Sequence, residues 1–375
     1  MIKTVIHVLP LNHYKSVVTF LTTIIVFLST NKKHLKGKHL FFIELQNGYE
    51  NNFSVLKGLI SSSLSNVYFF KGNRELIFCL SKYKNVELYF HQLPSVKLRF
   101  LIFIYCTLIR KIQYNWIVWG GDLYDDNYYR IILKDPTSHR NLKNTVVYFV
   151  NKLFVRRLKS TCSISGDYKA FKLLYPNSTA VHKRFFYPNK NILKFSKILS
   201  SYKKNVNILI SHSASKENNH LEIIERLEGL KECDNTTIYA VLSYGGDMNY
   251  INSIVSEGKK KFGKNFIPVV DFMNSEQYNI FLQKIDIAYF ASNRQSSIFT
   301  SVTMLSAGVK MILKPSTSTY SFFIKNGVKV YDFNQTHDIE DILNIDFHDI
   351  ERNSKIIKNM YSEKSILRIH QGIFK

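Results

Sequence analysis

Short apolar runs alternate with longer amphipathic ones along most of this 375-residue chain. Residues 4–9, 39–43, 67–70, 86–90, 116–119 and 161–165 have the length and β-branched or aromatic content of strands, and 17–28 reads as a helix. Helical stretches fit between several of the others. Such an order predicts a parallel sheet with crossover helices. A polar, lysine-rich bridge covers roughly 188–204, and then the pattern restarts. Residues 206–210, 237–242, 266–268, 287–290, 310–313 and 328–330 read as strands, and 220–230, 250–262, 275–284 and 299–307 as helices, the last closed by Gly308 as a C-terminal cap. Helical material recurs at 339–343 and 350–369. The chain is therefore expected to form two α/β domains with a cleft between them: 1–190, 205–345, and a helical segment 346–375 that packs back on the first.

One segment breaks the pattern usefully. In Trp116-Ile117-Val118-Trp119-Gly120-Gly121-Asp122-Leu123-Tyr124 an apolar run stops at two glycines and an acid. It reads as a buried strand opening into a tight turn, where a missing Cβ lets a ligand or another backbone approach. Ligands of open α/β sheets sit at such strand ends.

Charge narrows the classes of partner. Fifty-one basic against 28 acidic side chains give a net +23, a surface that attracts phosphorylated ligands, polyanions or an anionic membrane face. The lysines are scattered and no recognition-helix or zinc-finger spacing occurs, so no nucleic-acid partner is expected. Cys79, Cys106, Cys162 and Cys233 are widely spaced and read as free thiols of a reducing compartment. The histidines show no metal-ligand spacing, and no metal or cofactor is expected. The apolar stretches 17–28 and 98–109 both fall short of the roughly 20 residues that cross a bilayer. The second, framed by arginines, is expected to be a buried helix rather than an interfacial one.

Candidate chemistry clusters after predicted strands. Ser211, Ser213, Asn218 and His220 offer hydroxyls and a helix N-terminus suited to phosphate. Ser243-Tyr244-Gly245-Gly246-Asp247 is a turn whose Tyr244 can stack or donate. Arg294 carries a planar fork for phosphate, Gln295 can position a sugar hydroxyl or a base, and Thr300 can cap a helix or touch the same ligand. All three loops fall on one rim of the second sheet. In the first half Asp122 is the best acid for removing an acceptor proton, with Asp125, Asp126 and Asp167 as rivals. His7 and His13 flank the end of the first strand and can bind or act as base.

Taken in order, Ile6-His7-Val8-Leu9, Trp119-Gly120-x-Asp122-Leu123-Tyr124, Gly166-Asp167, Ser213 with Asn218-x-His220, Arg294-Gln295-x-x-Ile298-x-Thr300 and Ala307-Gly308 resemble the bacterial TDP-N-acetylfucosamine:lipid II N-acetylfucosaminyltransferases of enterobacterial common antigen synthesis. The resemblance spans roughly residues 1–335. It implies a GT-B glycosyltransferase, two Rossmann-like domains facing across a cleft, without an essential metal. It further implies a nucleoside-diphosphate sugar, most readily a TDP-sugar, in the C-terminal domain. The acceptor would be a lipid-linked glycan met from the cytoplasmic face of the inner membrane by a peripheral protein. Carried onto this chain, Ser211, Ser213, Asn218, His220, Tyr244, Gly245, Arg294, Gln295 and Thr300 fall on the donor side. Gly120, Gly121 and Asp167 fall on the acceptor side, and Asp122 and His7 are the catalytic candidates. The pair Gly120-Gly121, where the family has Gly-Ala, and the loop residues His212, Ala214, Ser215, Ser297 and Phe299 depart from the family pattern. Those departures bear on the identity of the sugar and acceptor. Two other readings stay open: a transferase with a lipopolysaccharide-core or soluble acceptor, and a non-catalytic scaffold of the same fold.

Overall fold

A computed structural model describes residues 3–11, 15–45, 50–60, 66–110, 112–134, 141–189, 192, 205–233 and 235–374. His13 and most of the 188–204 bridge lie outside the described residues. The chain divides into two compact units, Met1–Pro188 with Glu363–Lys375, and Asn189–Ser362.

The first unit holds seven parallel strands, β1 (Thr4–Leu11), β2 (Lys38–Leu45), β3 (Val67–Phe70), β4 (Val86–His91), β5 (Tyr114–Ile117), β6 (Leu158–Ser163) and β7 (Val181–Arg184), ordered β3-β2-β1-β4-β5-β6-β7. Its helices are α1 (Lys15–Thr30), α2 (Glu50–Leu59), α3 (Asn73–Ser81), α4 (Val96–Ile104), α5 (Asp126–Ile131), α6 (Leu142–Val155) and α7 (Ser165–Leu174). Alternation within a strand sends Ile6 and Val8 into a core with Leu40, Phe42, Leu88, Phe90 and Trp116, while Val5, His7 and Leu9 are equally buried on the other face. Burial on both faces is why these strands read as unbroken apolar runs.

The second unit holds β8 (Val206–Ile210), β9 (Thr236–Val241), β10 (Phe266–Val269), β11 (Ile287–Phe290), β12 (Lys310–Leu313) and β13 (Tyr331–Asp332), all parallel and ordered β10-β9-β8-β11-β12-β13. Around them run α8 (His220–Arg226), α9 (Met248–Phe262), α10 (Ser275–Lys284), α11 (Ile298–Ser306), α12 (Ser318–Lys325), α13 (Ile339–Leu343) and α14 (Phe347–Met360), and the final helix is α15 (Glu363–Ile373). Local signals set several helix starts. Ser95 and Asp125 cap α4 and α5, and Asn274 with Gln277 forms a full capping box on α10.

Several expected elements shift. The strand expected over 116–119 is β5, ending at Ile117, so Val118 and Trp119 already belong to the turn. The helix expected through 98–109 ends as α4 at Ile104 and widens into a turn over Tyr105–Ile109, in which Arg110 N–H reaches back to Tyr105 O. No strand forms at 328–330: the Asn353 side chain takes both the N–H and the C=O of Lys329, at 2.7 Å each, and sheet pairing resumes only at Tyr331. The C-terminal segment parts in two. The α14 helix packs on α11, with Ser354 donating to Ser306 O, whereas α15 joins the first unit. There Tyr89 and Lys183 both donate to Ile373 O, His370 bonds Phe186 O, and the Phe374 ring stands edge-on to His7, His39 and Tyr89.

Strand order reverses between β1 and β4 in the first sheet and between β8 and β11 in the second. A crevice opens at such points, beyond the carboxyl ends of the strands.

Candidate functional site

At the second switch point the expected loops meet. Ser211, the first residue after β8, has φ 62°, and Ser297, before α11, has φ 52°. Left-handed backbone at non-glycine residues is costly and concentrates at functional sites. Asn218 ties the loops together: its amide donates to Ser213 O (2.8 Å) and Ser213 Oγ (3.0 Å), and its oxygen accepts from Ser292 Oγ (2.8 Å). Next to it Asn219, at φ 51°, donates to Ala291 O and Asn293 Oδ1. The turn after β9 closes from the other side. Ala214 N–H donates to Tyr244 O, Ser215 Oγ to Gly245 O, and a Cβ on Gly246 would stand 2.4 Å from Ala214 O. Gly245, at φ 87°, faces Ser213 and Ser215. Tyr244 stands half-exposed at the rim, and His220, fully buried, bonds Tyr250 OH through Nδ1.

The crevice continues into a pocket lined by Phe290, Ser292, Arg294, Ser296, Ser297, Leu313, Lys314, Thr317 and Thr319. Its lining sets five hydroxyls and two cations beside the apolar Phe290 and Leu313. Arg294 spends one Nη1 hydrogen bond on Gln295 O, and its Nε has no hydrogen-bond partner among the described residues. His212 Nδ1 is likewise buried without one. Burial, with the Arg294 and His220 charges adding to it, pulls the His212 imidazole down to about 3, so it is neutral at physiological pH. His220 is lowered to about 4, again by burial. Lys314 is held at 2.6 Å by Glu222 and reaches Asn293. Ser297 gives α11 no side-chain cap, so the first N–H groups of that nine-residue helix keep their positive end uncapped by it. Gln295 is buried beside Arg294 and Thr300 is half-buried in the first turn of α11, and neither lines the pocket. Arg294, the start of α11 and several hydroxyls thus gather around one small volume, a chemistry that suits a phosphorylated group.

Sequence reasoning located Arg294 and the serine loop but missed Lys314, Thr317 and Thr319. The signal was there: Lys314-Pro315-Ser316-Thr317-Ser318-Thr319 is a lysine followed by hydroxyls directly after an apolar strand, the same pattern that singled out Ser211.

In the first unit the buried histidines form a row on one face of the sheet. His7 is fully buried, 2.9 Å from His39 Nδ1 through Nε2 and 3.0 Å from His91 Nε2 through Nδ1. His91 Nδ1 lies 2.7 Å from Tyr187 OH, which also accepts from Trp119 Nε1. An indole N–H can only donate, so the Tyr187 proton is left to go to His91. The same order carried inward puts the protons of His91 and His7 on Nε2. Burial lowers all three imidazoles, His39 to about 4 and His91 to about 3, with His7 well below the ordinary value.

Asp122 stands beside this row. Its two oxygens accept from Trp116 Nε1 (2.8 Å), Leu93 N–H (3.0 Å) and Trp119 N–H (3.0 Å). Burial raises its carboxyl against the pull of those donors. The bonds clamp the 92–93 turn, where Gln92 has φ 83°, onto the glycine turn. Gly120, at φ 96°, accepts from Leu123 and Tyr124 N–H, and Asp167 is buried under Tyr124 OH at 2.8 Å. Gly121 is exposed, with nothing near its missing Cβ.

Residues 2–343 match the family model of the 4-alpha-L-fucosyltransferases, glycosyl transferase group 56. The chain belongs to this family. It is the family of the TDP-fucosamine transferases to which the sequence motifs pointed. Solved glycosyltransferases share the fold at low identity. A glycosyltransferase from Rickettsia africae has TM-score 0.65 and 14% identity over 100% of this chain and 98% of its own. The lipopolysaccharide outer core galactosyltransferase WaaB has 0.66 and 9% over 98% and 97%. Anabaena HepE, in complex with UDP and glucose, has 0.66 and 11% over 99% and 98%. This group 56 chain is thus a nucleotide-sugar-dependent glycosyltransferase of the GT-B fold.

Proposed function

We propose that this group 56 transferase moves an N-acetylfucosamine-like sugar, an N-acetylated deoxyhexosamine, from a TDP-sugar to a polyprenyl-diphosphate-linked saccharide. It would do so as a peripheral protein on the cytoplasmic face of a bacterial inner membrane. The observation that carries the donor half is the pocket at the β8–β11 switch point, where Arg294, Lys314, the start of α11 and the Ser292, Ser296 and Thr317 hydroxyls surround one volume. The choice of sugar and acceptor rests on family membership. That HepE was solved with UDP and glucose supports a nucleotide sugar as the class of donor.

In this reading charge builds on the diphosphate as the glycosidic bond breaks. Arg294, Lys314 and the α11 N–H groups meet that charge where it develops, so they stabilise the transition state more than the bound donor. Neutral His212 lends a ring nitrogen without adding a cation that would hold the product diphosphate too tightly. Asp122, with both oxygens committed to N–H donors, acts as a positioning residue that holds the His91–Gln92 turn against Trp119.

The test is a thermal-shift comparison of TDP, UDP and GDP, followed by incubation with TDP-sugars and a lipid-diphosphate saccharide and mass analysis of the product. A TDP-selective shift and a product heavier by one N-acetyldeoxyhexosamine residue are expected. No shift with any nucleotide would sink the donor site. A shift with sugar transfer only to a lipid-free or lipopolysaccharide-core acceptor would move the acceptor to the alternative.

A further inference from the structure

The first unit carries an apolar ridge that its own core leaves uncovered. Helices α4 and α6 pack side by side on one face of the sheet, dropping Leu98, Ile102, Tyr105 and Cys106 from one and Phe154 and Val155 from the other into the core around Phe90 and Trp116. Their outward sides are not polar, as those of surface helices usually are. Phe100 on α4 is 44% exposed, Leu108 and Ile109 in the turn that extends it 71% and 66%, and on α6 Leu142 is 81%, Val146 49% and Phe149 60% exposed. The spacing 142, 146, 149 is one stripe along α6. Single exposed apolar residues need no account, but six large ones on two adjoining helices and that turn do.

The charge around the ridge is mostly basic, with Asp126, bonded to Asn144 of α6, as an acid beside it. Residues 96–110 and 141–157 contain no Asp or Glu, while Lys97, Lys143, Lys152 and Arg156 stand exposed on the same helices. A second copy of the chain docking here would bring like charges together. An anionic lipid leaflet takes both features, since apolar side chains enter the headgroup boundary and lysines meet phosphates. Among the described residues no helix is long and apolar enough to cross a membrane.

We infer that the α4–α6 ridge is the surface by which this protein lies on an anionic bilayer, with Leu142, Val146 and Phe149 inserted and the lysines of both helices on the headgroups. The inference deepens the reading of a membrane-borne acceptor by naming the face that meets the membrane. Its evidence is the ridge itself, not the donor pocket.

The experiment is flotation of the full chain with vesicles of phosphatidylcholine alone and of phosphatidylcholine mixed equally with phosphatidylglycerol. The parent is expected to float with the anionic vesicles, at least tenfold less with the neutral ones, and less as salt rises. L142S/F149S, both at exposed positions, is expected to lose at least tenfold in flotation with its melting temperature and TDP affinity unchanged. K143E/K152E should lose the preference for the anionic vesicles. A double variant that still floats like the parent overturns the inference. So does a parent that forms a dimer, by sedimentation velocity, which the double variant abolishes, for the ridge would then belong to a second copy. Because nucleotide affinity is read separately, failure of the donor site and failure of the ridge give different results.

Discussion

The two units have the same doubly wound topology and place their buried polar groups differently. In the second, the β8–β11 crevice is lined with hydroxyls, Arg294 and Lys314, and buried polar atoms of His212 and Arg294 face it without a partner among the described residues. In the first, one face of the sheet carries His7, His39 and His91 in a hydrogen-bonded row that leaves His39 Nε2 without a partner among the described residues, and Phe374, just past the last helix, lies against them. The polar cluster of the second unit gathers in the loops past its strand ends, whereas that of the first is built into the face of its sheet. A histidine thus has a different setting in each unit: His212 stands in the loop just past β8, and His7 within β1 under the Phe374 ring. What separates them is whether the neighbouring elements bring partners for its nitrogens.

Acid should break the comparison most severely. The four histidines His7, His39, His91 and His370 have folded-state values below the ordinary 6.5, with His39 and His370 at about 4 and His91 at about 3. Between those values and 6.5 the unfolded chain binds more protons than the folded one, so their stabilisation is complete above pH 6.5 and is lost as pH falls toward 3–4. The slope is about 1.4 kcal/mol per pH unit for each histidine. The second unit carries two such imidazoles in its crevice, His212 and His220. Both tryptophans, Trp116 and Trp119, lie in the first unit. Indole fluorescence should therefore report loss of structure at a higher pH than the bulk of the far-ultraviolet circular dichroism. Coincident transitions would contradict the contrast.

Next in size is Arg294→Ala. Losing a charged hydrogen-bond donor to phosphate costs about 1.5–3 kcal/mol, roughly a 10- to 100-fold rise in Kd for TDP, measurable by calorimetry with an unchanged melting temperature. Asp122→Asn should do the reverse. With its oxygen kept for the Trp116 and Leu93 donors, it turns an amide N–H₂ toward the Trp119 N–H, destabilising by about 1–3 kcal/mol, visible as a lower indole-reported melting point with TDP affinity intact. A variant of parental stability whose turnover falls by orders of magnitude would instead make Asp122 the proton acceptor. Smallest is a glycine pair. Gly246→Ala drives a Cβ into Ala214 O and should cost about 1–3 kcal/mol and weaken TDP binding. Gly121→Ala, opening into free space, should change neither by more than about 0.5 kcal/mol.

Much of this was legible in the chain. Parallel strands buried on both faces leave unbroken apolar runs, which is why β1, β2, β8, β11 and β12 stood out. The polar loops that follow them placed Ser211, Asn218 and Arg294 at one rim. The strand β7 escaped notice because Val-His-Lys-Arg is an edge strand with no apolar run to betray it. A strand at 328–330 was expected because Val328 and Val330 have the right composition, and nothing local reveals that Asn353 will take the intervening peptide. The histidine row was least legible: His7, His39 and His91 lie 32 to 84 residues apart, and only the strand order makes them neighbours.

The last helix carries a consequence for how the polypeptide is made. Its residues complete the first unit but leave the ribosome only after all of Asn189–Ser362 has been translated. At roughly 5–20 residues per second, the sheet face bearing His7 and Tyr89 waits about 10–35 seconds for its cover. A nascent chain therefore passes through a period when its earliest strands are assembled yet unsealed, and holdase chaperones would find their binding surface there.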